Sequence, residues 1–190
     1  MSGNLRVPCR AELGWFLGLR GPVVGSVIAA LLTAGLVQGP IGAVAGEPVT
    51  GVAKAVDGDT LVIGSTEIDL YGIDAPELGQ TCHSRKKMPF DCGALSRKAL
   101  INVIGTRQLI CKPAATGIGG RMAANCFLGW LNVNEQMVID GRAFAQPIAN
   151  NPYTRAQTFA EARKEGLWRG SFDWPWDWRK ANPGPNAETQ

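Results

Sequence analysis

The chain has 190 residues, room for one domain and an appendage. Three of its 19 basic residues and one of its 16 acidic ones lie in the first 45 positions, so the remainder carries 16 against 15. That balance excludes a protein gripping nucleic acid through a strong overall positive field, and any anion site has to be local.

The appendage comes first. Arg6, Arg10 and Arg20 precede an apolar run from Pro22 to Val37, which breaks at Gln38-Gly39-Pro40 before the small residues Ala43-Val44-Ala45. A basic start, an apolar core of about 7–15 residues and a small-residue cleavage site read as a secretory signal. Residues 1–45 are therefore expected to be a signal peptide, sending the rest to the periplasm or medium. The alternative is an uncleaved anchor in the inner membrane, for which roughly 20 apolar residues are needed.

From Val49 the pattern turns to short strands over 49–56, 59–64 and 67–72, with Gly58 and Gly64-Ser65 at the joints. A charged, Pro- and Gly-containing loop covers 73–91. Apolar spacing predicts a helix over 94–104, stopped by Gly105. Strands follow at 107–112 and 121–128 around the glycine-rich 113–120. A second helix is predicted after Asn132, a capping residue with Glu135 three positions on, and closes at Gly141. A third covers 153–165. The stretch 181–190 lacks apolar content and reads as a disordered tail. Five short strands and about three helices in this order predict an α+β fold, a five-stranded OB-type barrel spanning 46–180. Trp174, Trp176 and Trp178 read as cover for its core rather than as a platform for bases.

Past the signal the cysteines form an even set, Cys82, Cys92, Cys111 and Cys126. Export favours disulfides over free thiols, and no C-x-x-C pair supports zinc. Counting alone allows three pairings. Cys111 and Cys126 fall on consecutive strand-like segments, which favours a cross-strand bridge, and Cys82 with Cys92 would close one loop. His83, the single histidine, reads as a solvated loop residue.

The chemistry concentrates between Val56 and Glu77, where Asp57, Asp59, Glu67, Asp69, Asp74 and Glu77 occur with no Lys or Arg. Asp57-Gly58-Asp59-Thr60 and Asp74-Ala75-Pro76-Glu77 each sit at a strand end, where a turn aims carboxylates into a shared pocket. Several oxygens together suit a hard divalent cation. Either motif alone also reads as ordinary turn chemistry.

In order along the chain, V-D-G-D-T-L, L-Y-G-I-D-A-P-E, Cys92-Gly93, Gly120-Arg121-Met122-Ala123, Leu131-Asn132 with Met137-Val138, Gly166-Leu167-Trp168 and Trp178-Arg179 resemble the thermonuclease family, the staphylococcal-nuclease-like domain, in its exported, cysteine-bearing bacterial members. The resemblance implies an OB fold that holds Ca²⁺ beside a phosphodiester of DNA or RNA. Asp59 and Asp74 would be carboxylate ligands and the Ala75 carbonyl a backbone ligand. Glu77 would orient or deprotonate the attacking water, and Arg121 would bind the phosphate.

Two departures stand out. Active members carry a second arginine five residues before the first Asp of D-x-P-E, and that slot is Asp69 here. One unit charge about 5 Å from a phosphate is worth roughly 3 kcal/mol at an effective dielectric near 20, so the reversal is serious. Arg85-Lys86-Lys87 and Arg97-Lys98 are the basic groups considered as replacements. The stretch before Arg121 is Gly117-Ile118-Gly119-Gly120, which lacks the family's aromatic and reads as a loosened loop. Two readings result: a weakened exported nuclease, or an inactive nuclease-fold protein with a binding or exopolysaccharide-related role in the envelope. The second would bind a cation, a glycan or a protein partner; no obligate protein partner is inferred, and the membrane enters only through an uncleaved N-terminal segment.

Overall fold

Strand alternation around tight glycine turns builds the barrel. In the computed structural model, which describes residues 46–183, β1 (Val49–Ala55), β2 (Thr60–Ile63) and β3 (Thr66–Leu70) form an antiparallel meander. The β2–β3 turn places Gly64 at φ +63, a conformation that favours glycine. β4 (Ile73–Asp74) follows, and then a hairpin of β5 (Thr81–His83) and β6 (Pro89–Asp91). That hairpin was expected as loop, so exposed His83 lies on a strand. Three-residue strands carry too little alternation to stand out from irregular chain.

Asp91 caps α1 (Cys92–Ile104) by accepting the Ala94 N–H at 2.8 Å, so the helix starts two residues earlier than its apolar spacing indicates. After it come β7 (Gln108–Thr116), a 3₁₀ turn at Ile118–Gly120, β8 (Met122–Leu128) and β9 (Leu131–Asn132). Asn132 caps α2 (Val133–Ile139) through the Glu135 N–H, as expected. β10 (Phe144–Ala145), α3 (Thr154–Arg163) and α4 (Pro175–Ala181) complete the chain.

β1 is shared, pairing with β7 through its first half and with β2 through its second. A Cβ at Gly51, within β1, would stand 2.6 Å from Ile63 Cγ2. β7 pairs with β8, and β8 pairs in parallel with β3, which closes five strands into a barrel of the OB type. Leu61, Ile68, Leu70, Leu109 and Ala124 fill its interior, and α1 and α2 cover it through Leu100, Val133 and Met137. Each such large side chain contributes roughly 1.5–3 kcal/mol on leaving water.

Two disulfides brace the structure, Cys82–Cys92 and Cys111–Cys126, the pairing expected. A second apolar cluster joins Cys82, Cys92, Phe144 and Leu167 to Trp168, Phe172, Trp174 and Trp176. Of Trp174, Trp176 and Trp178, the first two are thus packing residues. α4 is a fourth helix that the sequence reading did not anticipate, and it takes in Ala181, the first residue of the expected tail. Residues 1–45 and 184–190 lie outside the described residues, and the signal assignment and the rest of the tail fall there.

Candidate active site on the barrel rim

The turn between β1 and β2 is organised by its own first carboxylate. Asp57 Oδ1 accepts the N–H of Asp59 at 3.0 Å and of Thr60 at 2.6 Å, an Asx turn. A Cβ at Gly58 would stand 2.5 Å from the Ala75 Cβ, so glycine lets this turn lie flat on the Asp74-Ala75 segment. There Asp59 Oδ2 accepts the Ala75 N–H at 2.7 Å. β4 pairs Asp74 with Phe144 of β10, which holds its side chain at 4% exposure.

Glu77 is positioned through its backbone. Its N–H donates to Gln80 Oε1 at 3.0 Å, and the Nε2 of that fully buried glutamine donates to the Asp173 carbonyl at 2.8 Å. The Glu77 loop is thereby tied to the segment leading into α4. Gly93, at the start of α1, packs on the Glu77 carbonyl with no space for a side chain.

Arg121 is set by the barrel closure. The β3–β8 register puts Ile68 opposite Met122 and Asp69 opposite Ala123. Arg121 precedes β8 by one residue and therefore meets Glu67 and Asp69, alternate residues on one face of β3. Its Nε lies 3.0 Å from Asp69 Oδ1 and another guanidinium nitrogen is also 3.0 Å away, while Glu67 stands at 3.5 Å. The glycine-rich loop before it is closed by one backbone hydrogen bond. The Gly117 N–H donates to the Arg121 carbonyl at 2.7 Å, and Gly119 and Gly120 take φ of +64 and +81. A Cβ at Gly117 would stand 2.5 Å from Asp69 Oδ2, so that glycine makes the seat for Asp69.

The second guanidinium comes from α4. Arg179 donates to Asp74 Oδ1 at 2.9 Å and to Oδ2 at 2.6 Å, and also to Glu77 Oε1. Nothing in the sequence assigns it a role beyond membership of the Trp178-Arg179 pair. The available signal was that pair itself, a basic step shared with Lys180 after a tryptophan-rich segment 102 residues beyond Glu77. The basic groups considered as replacements are elsewhere: Arg97 Nε donates to the Ala55 carbonyl at 3.4 Å, and Arg85 and Lys86 line a different groove.

Asp57, Asp59, Asp69, Asp74, Glu77, Arg121 and Arg179 line one open cleft of about 830 Å³. Ala75 is buried beneath the Gly58 turn and does not itself line the cleft, meeting the site through its N–H bond to Asp59. Burial, then the charges of Asp57 and Asp74, push the Asp59 carboxyl well above its usual range, although the Ala75 N–H works the other way. Burial raises Asp74 too, and the Arg179 hydrogen bonds only partly offset it. Burial opposes the Arg121 charge, but Asp69, with Glu67 and Asp57, raises its pKa overall. The Asp74 hydrogen bonds, with help from Glu77, hold Arg179 firmly protonated against its own burial.

The donor chemistry suits a hard divalent cation: all-oxygen ligands whose mutual repulsion an ion would relieve. Among the described residues, no three His, Cys, Asp or Glu side chains gather tightly enough to form a metal cluster. Both Asp74 oxygens are bound to Arg179, so the set fits an ion once that fork has moved.

A family model described as staphylococcal nuclease homologue matches residues 67–170, a span holding Asp69, Asp74, Glu77 and Arg121 but neither Asp59 nor Arg179. A protein of Rhizobium meliloti (strain 1021) named succinoglycan biosynthesis protein ExoI is 32% identical over 171 residues, 88% of this chain and 85% of that protein. A probable staphylococcal-like nuclease of rice, CAN3 of Oryza sativa subsp. japonica, is 32% identical over 125 residues, covering 64% of this chain and 30% of its own length. With the barrel and the rim carboxylates in place, these matches establish that the chain belongs to the staphylococcal nuclease homologue family.

Proposed function

We propose that this protein is an exported, Ca²⁺-dependent phosphodiesterase acting weakly on DNA or RNA. The observation carrying the reading is the convergence of Asp59, Asp74, Glu77 and Arg121 on one cleft. In this reading a water oxygen attacks phosphorus, its proton passes to the Glu77 carboxylate, and one P–O ester bond breaks, its electron pair staying on the leaving sugar oxygen, which takes a proton from solvent. Arg121 neutralises charge building on the non-bridging oxygens. Asp59, Asp74 and the Ala75 carbonyl would hold Ca²⁺, which when bound supplies further neutralisation at the phosphate. The two disulfides agree with an oxidising destination beyond a cleaved 1–45 segment.

Weakness is expected because five carboxylates face two guanidinium groups in the cleft, and each guanidinium is already paired. Loss of a phosphate-clamping arginine in related chemistry costs ~10³–10⁵ in rate. That pairing also favours a second reading, an inactive nuclease-fold protein with a binding or exopolysaccharide-related role in the envelope; the Rhizobium relative is named a succinoglycan biosynthesis protein.

The assay is direct: single-stranded DNA and RNA are incubated with the protein in Ca²⁺ or in chelator. Slow cleavage is expected in Ca²⁺ alone, with Glu77→Gln and Arg121→Ala each removing it. Absence of cleavage by the wild type under all conditions decides for the binding protein.

A further inference from the structure

We propose that Arg179 is a built-in counter-cation of this site, which a divalent cation has to displace from Asp74 before it can bind there. The inference rests on the cation-dependent reading above and adds what controls the ion's entry.

Both Asp74 oxygens receive N–H groups of one guanidinium, at 2.9 and 2.6 Å. Asp74 is 4% exposed and Arg179 40%, so the arginine covers the carboxylate from the solvent side. An ion arriving from solvent meets the guanidinium first. Arg179 also binds Glu77, so one cationic group occupies the carboxylate assigned to hold the metal and the one assigned to receive the proton. The forked geometry suits a planar guanidinium, which gives the closed arrangement specificity as well as charge.

Release is mechanically simple. Arg179 sits in the last turn of a seven-residue helix whose attachment lies at its other end. There Pro175 is buried, Trp174 stacks on Trp176 at 4.9 Å, and the preceding Asp173 carbonyl is held by Gln80. The side chain can leave Asp74 without disturbing any of these contacts. A divalent ion brings twice the charge of the group it replaces, and Asp57 and Asp59 stand ready beside it.

Competition of this kind lowers apparent affinity by the fraction of time the site is open, about tenfold if the fork is undone a tenth of the time. The test titrates Ca²⁺ into wild-type, Arg179→Gln and Arg179→Lys proteins by calorimetry, without nucleic acid, and measures melting in chelator. Arg179→Gln is expected to bind Ca²⁺ roughly tenfold more tightly while melting lower in chelator, opposite movements that a purely structural residue does not produce. Arg179→Lys keeps the charge but loses the fork, and is expected between the two. A folded Arg179→Gln that binds Ca²⁺ no more tightly than wild type overturns the proposal and leaves the metal site standing. If Arg179→Gln does not fold, wild-type affinity in Arg179→Lys overturns it equally. Should no form bind Ca²⁺, the proposal and the cation-dependent reading fall together.

Discussion

Asp69 decides how much use the cleft can make of Arg121. As the reversed member of a family arginine slot, it was expected to join metal ligands or repel substrate, but it is bound to Arg121 instead. The consequence for a phosphate is similar, since a guanidinium satisfied by one carboxylate and flanked by Glu67 has little attraction left. Asp69→Asn keeps the shape beneath Gly117 and removes the competing charge. Its expected effect is tighter binding of a phosphorothioate oligonucleotide in Ca²⁺ and at least ~10-fold faster cleavage, short of the ~10³ that a fully restored clamp would give. Filter binding and initial rates measure both. Unchanged binding would mean that Arg121 is not a phosphate group.

At the scale of elements, the β7–β8 pair carries both a covalent brace and one of the site's two arginines. Cys111 and Cys126 are direct register partners, with Cα atoms 4.0 Å apart, and Arg121 lies in the loop they close. A bridge closing a loop of this size is worth about 2–4 kcal/mol in the chain-entropy model. The double replacement Cys111→Ala, Cys126→Ala is therefore expected to lower stability by that amount in urea titration. Because β3 also grips β8, the folded variant should retain the Asp69–Arg121 pair and its cation affinity. A loss of Ca²⁺ binding without a loss of stability would contradict the assignment of a bracing role. α4 shows how an element escapes a sequence reading. Its anchor is Trp174, the residue before its first turn, which packs on Phe144 and Trp168 and on which Trp176 stacks, rather than a helical stripe read along the chain.

For the whole molecule, the rim carboxylates make stability depend on pH. Asp59 and Asp74 titrate above their ordinary value of 3.8, so the folded protein holds protons that the unfolded chain has released. Stability therefore falls as pH rises from about that value through the raised ones. Asp59→Asn keeps an oxygen for the Ala75 N–H and removes one of the repelling charges. In chelator at pH 7 it is expected to melt a few degrees higher, at roughly 4 °C per kcal/mol for a domain of this size. The acid-side slope should shrink, and stabilisation by Ca²⁺, which acts only on the form that binds it, should be lost. Calorimetric melts at several pH values check all three effects. A variant that melts lower at pH 7 would show that the Asp59 charge is favourable as it stands.

Much of this was legible in the chain alone, because the signals are local. Turn glycines, the Asn132 cap, helix spacing and Cys111 and Cys126 on adjacent strands each express nearest-neighbour physics, and together they specified the barrel and the disulfides. The carboxylate motifs were legible for the same reason, since Asp57-Gly58-Asp59 is a turn before it is a site. What the tertiary structure decided is which charge meets which. Parallel closure of β3 on β8 joins Asp69 to Arg121 across 52 residues. Docking of α4 on the aromatic cluster carries Arg179 to Asp74 across 105. Neither distance leaves a periodicity in the sequence, because ion pairs are short-ranged in space and indifferent to separation along the chain.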